Sequence, residues 1–429
     1  MSSGALGRHL GTADAVVIGL GAMIGAGVFS AFAPAAEAAG SGLLIGLGVA
    51  AVIAYCNAVA SAQLASQYPT SGGTYVYGRE RLGPWWGFVA GWGFVIGKTA
   101  SCAAMALTFA AYALPGDSLV QRPIAVAALG LLTAVNLRGI TRTVRLARIL
   151  VAGSLTSLGI VVIAIATGAG GHADLAGSWQ FTGGAHGVLQ AAALLFFAFA
   201  GYARVATLGE EVRNPSVTIP RAITIALAIT VGVYLLVGVA ALLAAGPGAI
   251  AASPAPLATA AQAAGAGWAT PVVRAGAAIA SLGALLALIA GVGRTTLAMA
   301  RNRDLPHPLA SVHPRHQVPW VAQVAVAGAV AILVLTTDLR AVIGFSSFGV
   351  LMYYAIANAS AWTQDAAHRR WPRALNVLGL TGCVVLVGSL PMRSVVAGLI
   401  VATVGVAGRA VLRRPATAGT DHGAQPSPS

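Results

Sequence analysis

The stretch Gly19-Leu20-Gly21-Ala22-Met23-Ile24-Gly25-Ala26-Gly27-Val28-Phe29 places four glycines within nine residues, inside an apolar run over about 14–36. Such a run is long enough to cross a bilayer as a helix. Each glycine weakens a helix by about 1 kcal/mol, so a helix crossing here is expected to break at its centre. A second run, about 186–209, carries Phe196-Phe197-Ala198-Phe199-Ala200-Gly201-Tyr202-Ala203-Arg204 at its middle, with one glycine, a cluster of aromatics and a charge. Irregular backbone at membrane depth is tolerated only where it is buried in protein or lines a wet cavity. Interrupted helices at corresponding positions of two halves point to a transporter site. A helix restarting after Gly25 offers free N–H groups and a positive dipole end, which suit a carboxylate. Carbonyls freed at the break suit an ammonium, and the two poles together suit an α-amino acid. Two rival readings compete. Gly21-x-x-x-Gly25 is also a helix-packing motif. Gly19-x-Gly21 with Gly25 loosely resembles a dinucleotide loop, but no strand precedes it and the spacing departs from GxGxxG.

The rest of the chain has the composition this reading needs. Of 429 residues, 57% are hydrophobic and 8% charged, against about 25% charged in an ordinary soluble domain. Mean hydropathy is +0.82. The 25 basic and 11 acidic residues cannot cover a chain this long with a water-facing surface, which excludes soluble and disordered classes. At about 20 residues per span, the length holds roughly twelve helices. Twelve apolar segments, punctuated by Arg, Pro and Gly, fall at roughly 14–36, 40–67, 85–114, 122–137, 145–168, 186–209, 218–246, 271–300, 319–336, 340–362, 374–391 and 394–412. They are continuous rather than alternating, so the fold is all-α and not a membrane barrel. The tail 413–429, rich in Pro, Ser, Gly and Ala, is expected to be disordered. That leaves 1–412 as the transmembrane domain.

The net charge of +14 reads as topology rather than nucleic-acid binding. One set of alternate loops holds Arg8, Arg79, Arg81, Arg138, Arg142, Arg145, Arg148, Arg213, Arg221, Arg301, Arg303, Arg315, Arg369, Arg370, Arg373, Arg409, Arg413 and Arg414; the opposite set holds Arg122, Arg274, Arg340 and Arg393. Positive residues stay in the cytoplasm during insertion, so both termini are expected inside. No signal-peptide pattern precedes the first span, which is expected to act as its own insertion signal. Cys56, Cys102 and Cys383 lie in apolar runs without CxxC spacing and read as buried small residues. The loop histidines, among them His172, His307, His313 and His316, show no HExxH spacing, and no phosphate loop or Ser–His–Asp arrangement is present. No metal and no cofactor are expected, and no enzymatic activity.

With these motifs in order, the chain resembles the amino acid–polyamine–organocation (APC) transporter superfamily, and within it bacterial amino acid permeases, from about residue 12 to about residue 412. The resemblance is carried by Gly21 to Phe29, by Pro69-Thr70-Ser71-Gly72-Gly73-Thr74-Tyr75-Val76-Tyr77, by Phe197 to Tyr202 followed by Glu210-Glu211-Val212-Arg213-Asn214-Pro215 and Ile219-Pro220-Arg221-Ala222, and by Arg294 to Met299 followed by Arg301-Asn302-Arg303-Asp304-Leu305-Pro306. It implies an inverted repeat of helices 1–5 and 6–10, at about 14–168 and 186–362, with broken helices 1 and 6 and two extra helices at about 374–412. It implies alternating access around a central site. It places a substrate carboxylate near the amides of Ile24, Gly25, Ala26 and Gly27, and an amino group near carbonyls around Ala22, Met23, Phe199 and Ala200. Phe199 would be the aromatic gate, with Ser30 and Tyr202 as weaker pocket candidates.

Departures from the family pattern shape the expected substrate. Relatives often carry an acidic residue just after the glycine–aromatic pair of helix six, where this chain has Ala203 and then Arg204. No carboxylate lies in the middle of any span, which weighs against arginine, lysine or polyamines and favours a neutral amino acid. The runner-up is a basic amino acid or polyamine exchanger; a passive channel, a substrate-sensing receptor and an integral-membrane enzyme are more distant. Helix five, at Ser154-Leu155-Thr156-Ser157, lacks the lysine of proton-coupled relatives, and Leu288 to Gly293 lacks the hydroxyls of sodium-coupled ones.

Lys98, the sole lysine, lies midway along span three between Pro84 and Pro115. It stands about 21–26 Å from either end, too deep to snorkel out. An ammonium at that depth costs about 2.5–3.5 kcal/mol to insert, so it must face the protein interior. It is read as the group that gains and loses the transported proton. The competing readings are a structural ammonium capping carbonyls at a helix break, and direct contact with substrate. Arg204 cannot lose its proton. It either pairs with Glu210 or Glu211, the reading preferred here, or faces the cavity and disfavours cations. Glu37 reads as a surface or vestibule carboxylate. Glu210 and Glu211, beside Arg213 and Arg221, are expected to close an inner gate by ion pairs, with Gly72 and Gly73 letting the neighbouring loop pack tightly and Tyr75 and Tyr77 filling the space. An ordinary turn is the alternative for Gly72-Gly73. The partners are an amino acid, protons and the bilayer; oligomeric state is not legible.

Overall fold

The computed structural model describes residues 10–69, 72–114, 116, 118–138, 143–168, 181–208 and 211–413. Glu210, Thr70, Ser71, His172 and the tail beyond Arg413 lie outside the described residues. Among those described, all named elements are helices, set by apolar runs and by proline and glycine punctuation. α1 (Thr12–Met23) stops at the glycine-rich stretch and resumes as α2 (Ala26–Ser30) and α3 (Phe32–Ala39). α4 (Leu43–Gln67) runs back, and the short α5 (Thr74–Leu82) precedes α6 (Pro84–Ala113). Pro84 opens α6 at a position whose N–H would be unpaired in any case. α7 (Ser118–Leu137) and α8 (Thr143–Thr167) follow. α9 (Gly184–Phe199) passes through a 3-10 turn, Ala200–Tyr202, into α10 (Ala203–Ala206). Then come α11 (Pro215–Ala252), kinked at Gly246, α12 (Pro256–Ala263) and α13 (Thr270–Arg301). The chain closes with α14 (Trp320–Thr336), α15 (Leu339–Trp362), α16 (Arg373–Ser389) and α17 (Met392–Leu412).

Ten helical runs are long and apolar enough to cross a membrane, and α14 and α16, at 17 residues each, are apolar but shorter. Together they account for the twelve apolar segments, and the protein is an all-α, multi-pass membrane protein. Large apolar side chains such as Leu131, Ile163 and Val404 point outward, as a lipid-facing surface requires. The most enclosed span is α6, packed along α13 and α15. Small residues make that packing close. A Cβ on Gly97 would lie 3.0 Å from the Ser346 carbonyl oxygen, and Ser101 and Ser346 share a 2.7 Å hydrogen bond. Small residues that let backbones approach are the usual adhesive between helices in lipid.

The two ends of the bundle differ in chemistry. At one end the arginine-rich segments converge. Leu10 pairs its backbone with Val212, Arg148 meets Asp14, and Arg81 bonds Thr363. Asp304, fully buried, accepts from Arg79 at 3.0 Å, Arg409 at 2.8 Å and Arg413 at 2.9 Å, and from the Tyr75 hydroxyl at 2.8 Å. The remaining guanidinium nitrogens of Arg409 have no hydrogen-bond partner; the group lies over the rings of Trp85 at 4.2 Å and Phe88 at 5.0 Å. Burial, and then the Asp304 carboxylate, push the Tyr75 phenol up, so it stays a donor. At the opposite end Glu37, exposed, pairs with Arg340, and Arg274 bonds the Tyr112 carbonyl at 3.0 Å. The arginines in these contacts thus sort to the two ends as their alternation along the sequence implies.

Candidate functional site

The site is built where the two interrupted spans cross. α1 ends because Ile24 (φ −81, ψ 58) and Gly25 (φ −104, ψ −140) leave helical geometry, and Ala26 restarts it. The second interruption takes another form. Instead of unwinding, the span tightens into one 3-10 turn at Ala200–Tyr202. With one glycine rather than four, the backbone changes its hydrogen-bond step without leaving the helical region.

The two breaks touch through backbone. A Cβ on Gly201 would lie 2.6 Å from the Met23 amide nitrogen, with the Ala22 carbonyl nearer still, and a Cβ on Gly27 would lie 2.6 Å from that of Ala198. Carbonyls exposed there are taken up by three side chains. The Tyr234 hydroxyl on α11 lies 2.6 Å from the Met23 carbonyl oxygen and 3.1 Å from that of Ala198. Its single proton serves one at a time. The Ala200 carbonyl accepts from the Lys98 ammonium at 3.0 Å and from Tyr354 at 3.3 Å. The Ala26 amide points at the Met105 sulfur, 3.3 Å away. Lys98, at the midpoint of α6, is therefore a bridge between the central helix and the second break.

A cavity of about 270 Å³ begins at this crossing and extends toward the arginine-rich end. Its head is formed by Ala22, Lys98, Ala200 and Gly201, and its far part by Arg204, Thr207, Glu211, Arg294 and Thr295. Beyond the crossing, on the other side, space is filled. Phe29 and Tyr112 are fully buried edge to face, and the Tyr112 hydroxyl donates to the Phe29 carbonyl at 2.7 Å.

The sequence-chosen residues divide around this geometry. Ala22, Ala200, Lys98, Arg204 and Glu211 line the cavity. Met23, Ile24, Ala26, Gly27, Phe199 and Tyr202 are buried beside it and are not among its lining residues, and neither is Gly25. Phe199 packs on Tyr234 and Tyr202 on Tyr354, with ring centroids 5.1 and 4.9 Å apart. Positions 200, 204 and 207 share one helical face, and 199 and 202 share the adjoining one. Ser30 turns its hydroxyl back on the Ala26 carbonyl. Arg204 bonds Thr207, three residues on, at 3.0 Å, and among the described residues it makes no ion pair. Gly73 takes φ +54, and the amide of Thr74 next to it donates to Tyr353 at 3.0 Å; Gly72 lies beside it in the turn. Tyr77, fully buried, reaches the Ala206 carbonyl at 3.4 Å. The α5 segment is thus seated against α10 and α15.

Tyr234, Tyr354 and Met105 escaped the sequence reading, as did the cavity position of Arg294. A tyrosine inside an otherwise apolar span carries a polar tip that must find a partner when buried, and that signal was available for Tyr234.

A sequence-family model described as amino acid permease matches residues 10–413. An uncharacterized transporter of Mycobacterium tuberculosis is 59% identical over 411 residues, covering 95% of this chain and 92% of that protein. A branched-chain amino acid permease of Bacillus subtilis is 28% identical, covering 74% of this chain and 72% of that protein. The cationic amino acid transporter 4 of Homo sapiens is 30% identical, covering 83% of this chain and 59% of that protein.

Proposed function

This chain belongs to the amino acid permease family of the APC superfamily, and we propose that it is a proton-coupled secondary transporter of amino acids working by alternating access in the plasma membrane, with both termini in the cytoplasm. The observation that carries the reading is the backbone contact of two interrupted spans at the head of a cavity that leads to one face of the bundle. An amino acid replaces the groups that now occupy the exposed backbone, its ammonium on carbonyls of the crossing and its carboxylate on amides of the first break. The filled space around Phe29 and Tyr112, opposite the cavity, supports an inward-facing conformation.

Lys98 is the proposed coupling group. Its ammonium holds the Ala200 carbonyl. The neutral amine lacks the charge that strengthens this bond, so loss of the proton loosens α6 from the second break. Proton transfer and movement of that break are thereby joined. The names of the cationic relatives raise a second reading, an exchanger of basic amino acids. Against it, among the described residues the cavity presents one carboxylate, Glu211, to three cationic side chains, Lys98, Arg204 and Arg294.

The test is uptake of labelled amino acids into proteoliposomes with and without an inward proton gradient. Accumulation that collapses with a protonophore supports the proposal. Uptake only against preloaded internal amino acid supports exchange, and absence of any uptake overturns transport.

A further inference from the structure

The cavity is chemically one-sided. Lys98 stands at its head, Arg204 one helical turn beyond Ala200, and Arg294 next to Thr295 on α13. Among the described lining residues the formal charges sum to +2 with Glu211 included. Arg204 spends one N–H on Thr207, and among the described residues neither Arg204 nor Arg294 forms an ion pair. Lys98 spends one of its three N–H bonds on the Ala200 carbonyl. Donors therefore remain on all three groups, distributed along the cavity, while the acceptors among the described lining residues are carbonyls at the head, two hydroxyls and Glu211. A cationic side chain entering this space meets like charge in a medium poorer than water at screening it. A side-chain carboxylate meets guanidinium forks that match its geometry.

Resting on the transport reading above, we propose that the preferred substrate is an amino acid with an acidic side chain, whose carboxylate is held by Arg204 and Arg294 while its α-groups address the crossing. Arg204 and Arg294 are then determinants of specificity, and Glu211 excludes a second anion from the far end. Three cations against one carboxylate around about 270 Å³ complement the charge of a dicarboxylic amino acid, with Arg204 half-buried and Arg294 at the exposed rim.

The experiment uses the full chain in proteoliposomes and labelled glutamate, aspartate, glutamine, leucine and lysine at equal concentration. The expected result is glutamate or aspartate accumulating at least tenfold over lysine. Arg204→Gln should lower the glutamate-to-glutamine uptake ratio at least tenfold, and Arg204→Lys should keep most of it. Size-exclusion profiles of the purified variants verify that each is folded; for an Arg204→Gln that does not fold, Arg294→Gln supplies the same ratio. Accumulation of leucine or lysine without the acidic pair overturns this inference and leaves transport standing. An Arg204→Gln that depresses glutamate and glutamine equally also overturns it, because the arginine is then structural. If none of the five amino acids accumulates, both this inference and the transport reading fall.

Discussion

Replacing Gly201 by alanine tests the crossing on which the functional reading stands. The added Cβ would lie 2.6 Å from the Met23 amide nitrogen, with the Ala22 carbonyl nearer still, whereas ordinary contact begins at 3.4 Å. The two breaks must therefore part by at least about 0.8 Å in an interior packed too densely to yield freely. All three crowded atoms are backbone, so no side chain can rotate away. Overpacking of this kind costs about 1–3 kcal/mol, and here the upper part of that range is expected. Separation also lengthens the bonds of Tyr234 and Lys98 to the carbonyls they hold. The expected outcome is a lower melting temperature in detergent and uptake reduced at least tenfold. Gly130→Ala is the control, since nothing lies within 4 Å of a Cβ there. A Gly201→Ala protein that melts and transports like the Gly130→Ala control would refute the close crossing.

Three further outcomes follow from the geometry. Tyr234→Phe removes the proton shared between the Met23 and Ala198 carbonyls, and the loss of a buried partner should cost about 1–3 kcal/mol; an unchanged detergent melt contradicts this. Lys98→Met should abolish the effect of a proton gradient on uptake, and Lys98→Arg should do the same while preserving a cation on Ala200; a Lys98→Met protein with normal gradient dependence and undiminished uptake ends the proton role. Asp304→Asn strips the buried Arg409 of its counter-charge and should cost about 3–5 kcal/mol. The double variant Asp304→Asn, Arg409→Met should melt closer to the parent than Asp304→Asn alone, and a double variant that melts lower still refutes the pairing.

The first break was legible because four glycines in nine residues outweigh any helical preference. The position of the second break was legible too, but its form was not. One glycine among aromatics does not distinguish an unwound segment from a tightened turn, and tertiary packing against Ala22 decides. Arg204 looked like the partner of Glu210 or Glu211 because they are near in sequence. In the fold Arg204 bonds Thr207 and forms no ion pair with Glu211, while Glu210 lies outside the described residues. Phe199 and Tyr202 were chosen from a motif, whereas the side of the helix they occupy depends on a phase that the motif does not specify. The carbonyl contacts of Lys98 and Tyr234 join residues 102 and 211 positions apart, a pairing that only the assembled bundle reveals.

The Asp304 cluster bears on how the protein comes into being. Of the three arginines on that carboxylate, Arg79 precedes it in the chain, whereas Arg409 follows by 105 residues and Arg413 by 109. At ribosomal rates of roughly 5–20 residues per second, some 5–20 s separate the emergence of Asp304 from that of Arg409. During that interval the carboxylate has Arg79 as its one basic partner from the cluster. Arg409 then arrives on α17, a helix with only 11% of its membrane window enclosed by the rest of the protein. Its docking, with Arg413 close behind, converts a one-to-one pair into a three-to-one cluster.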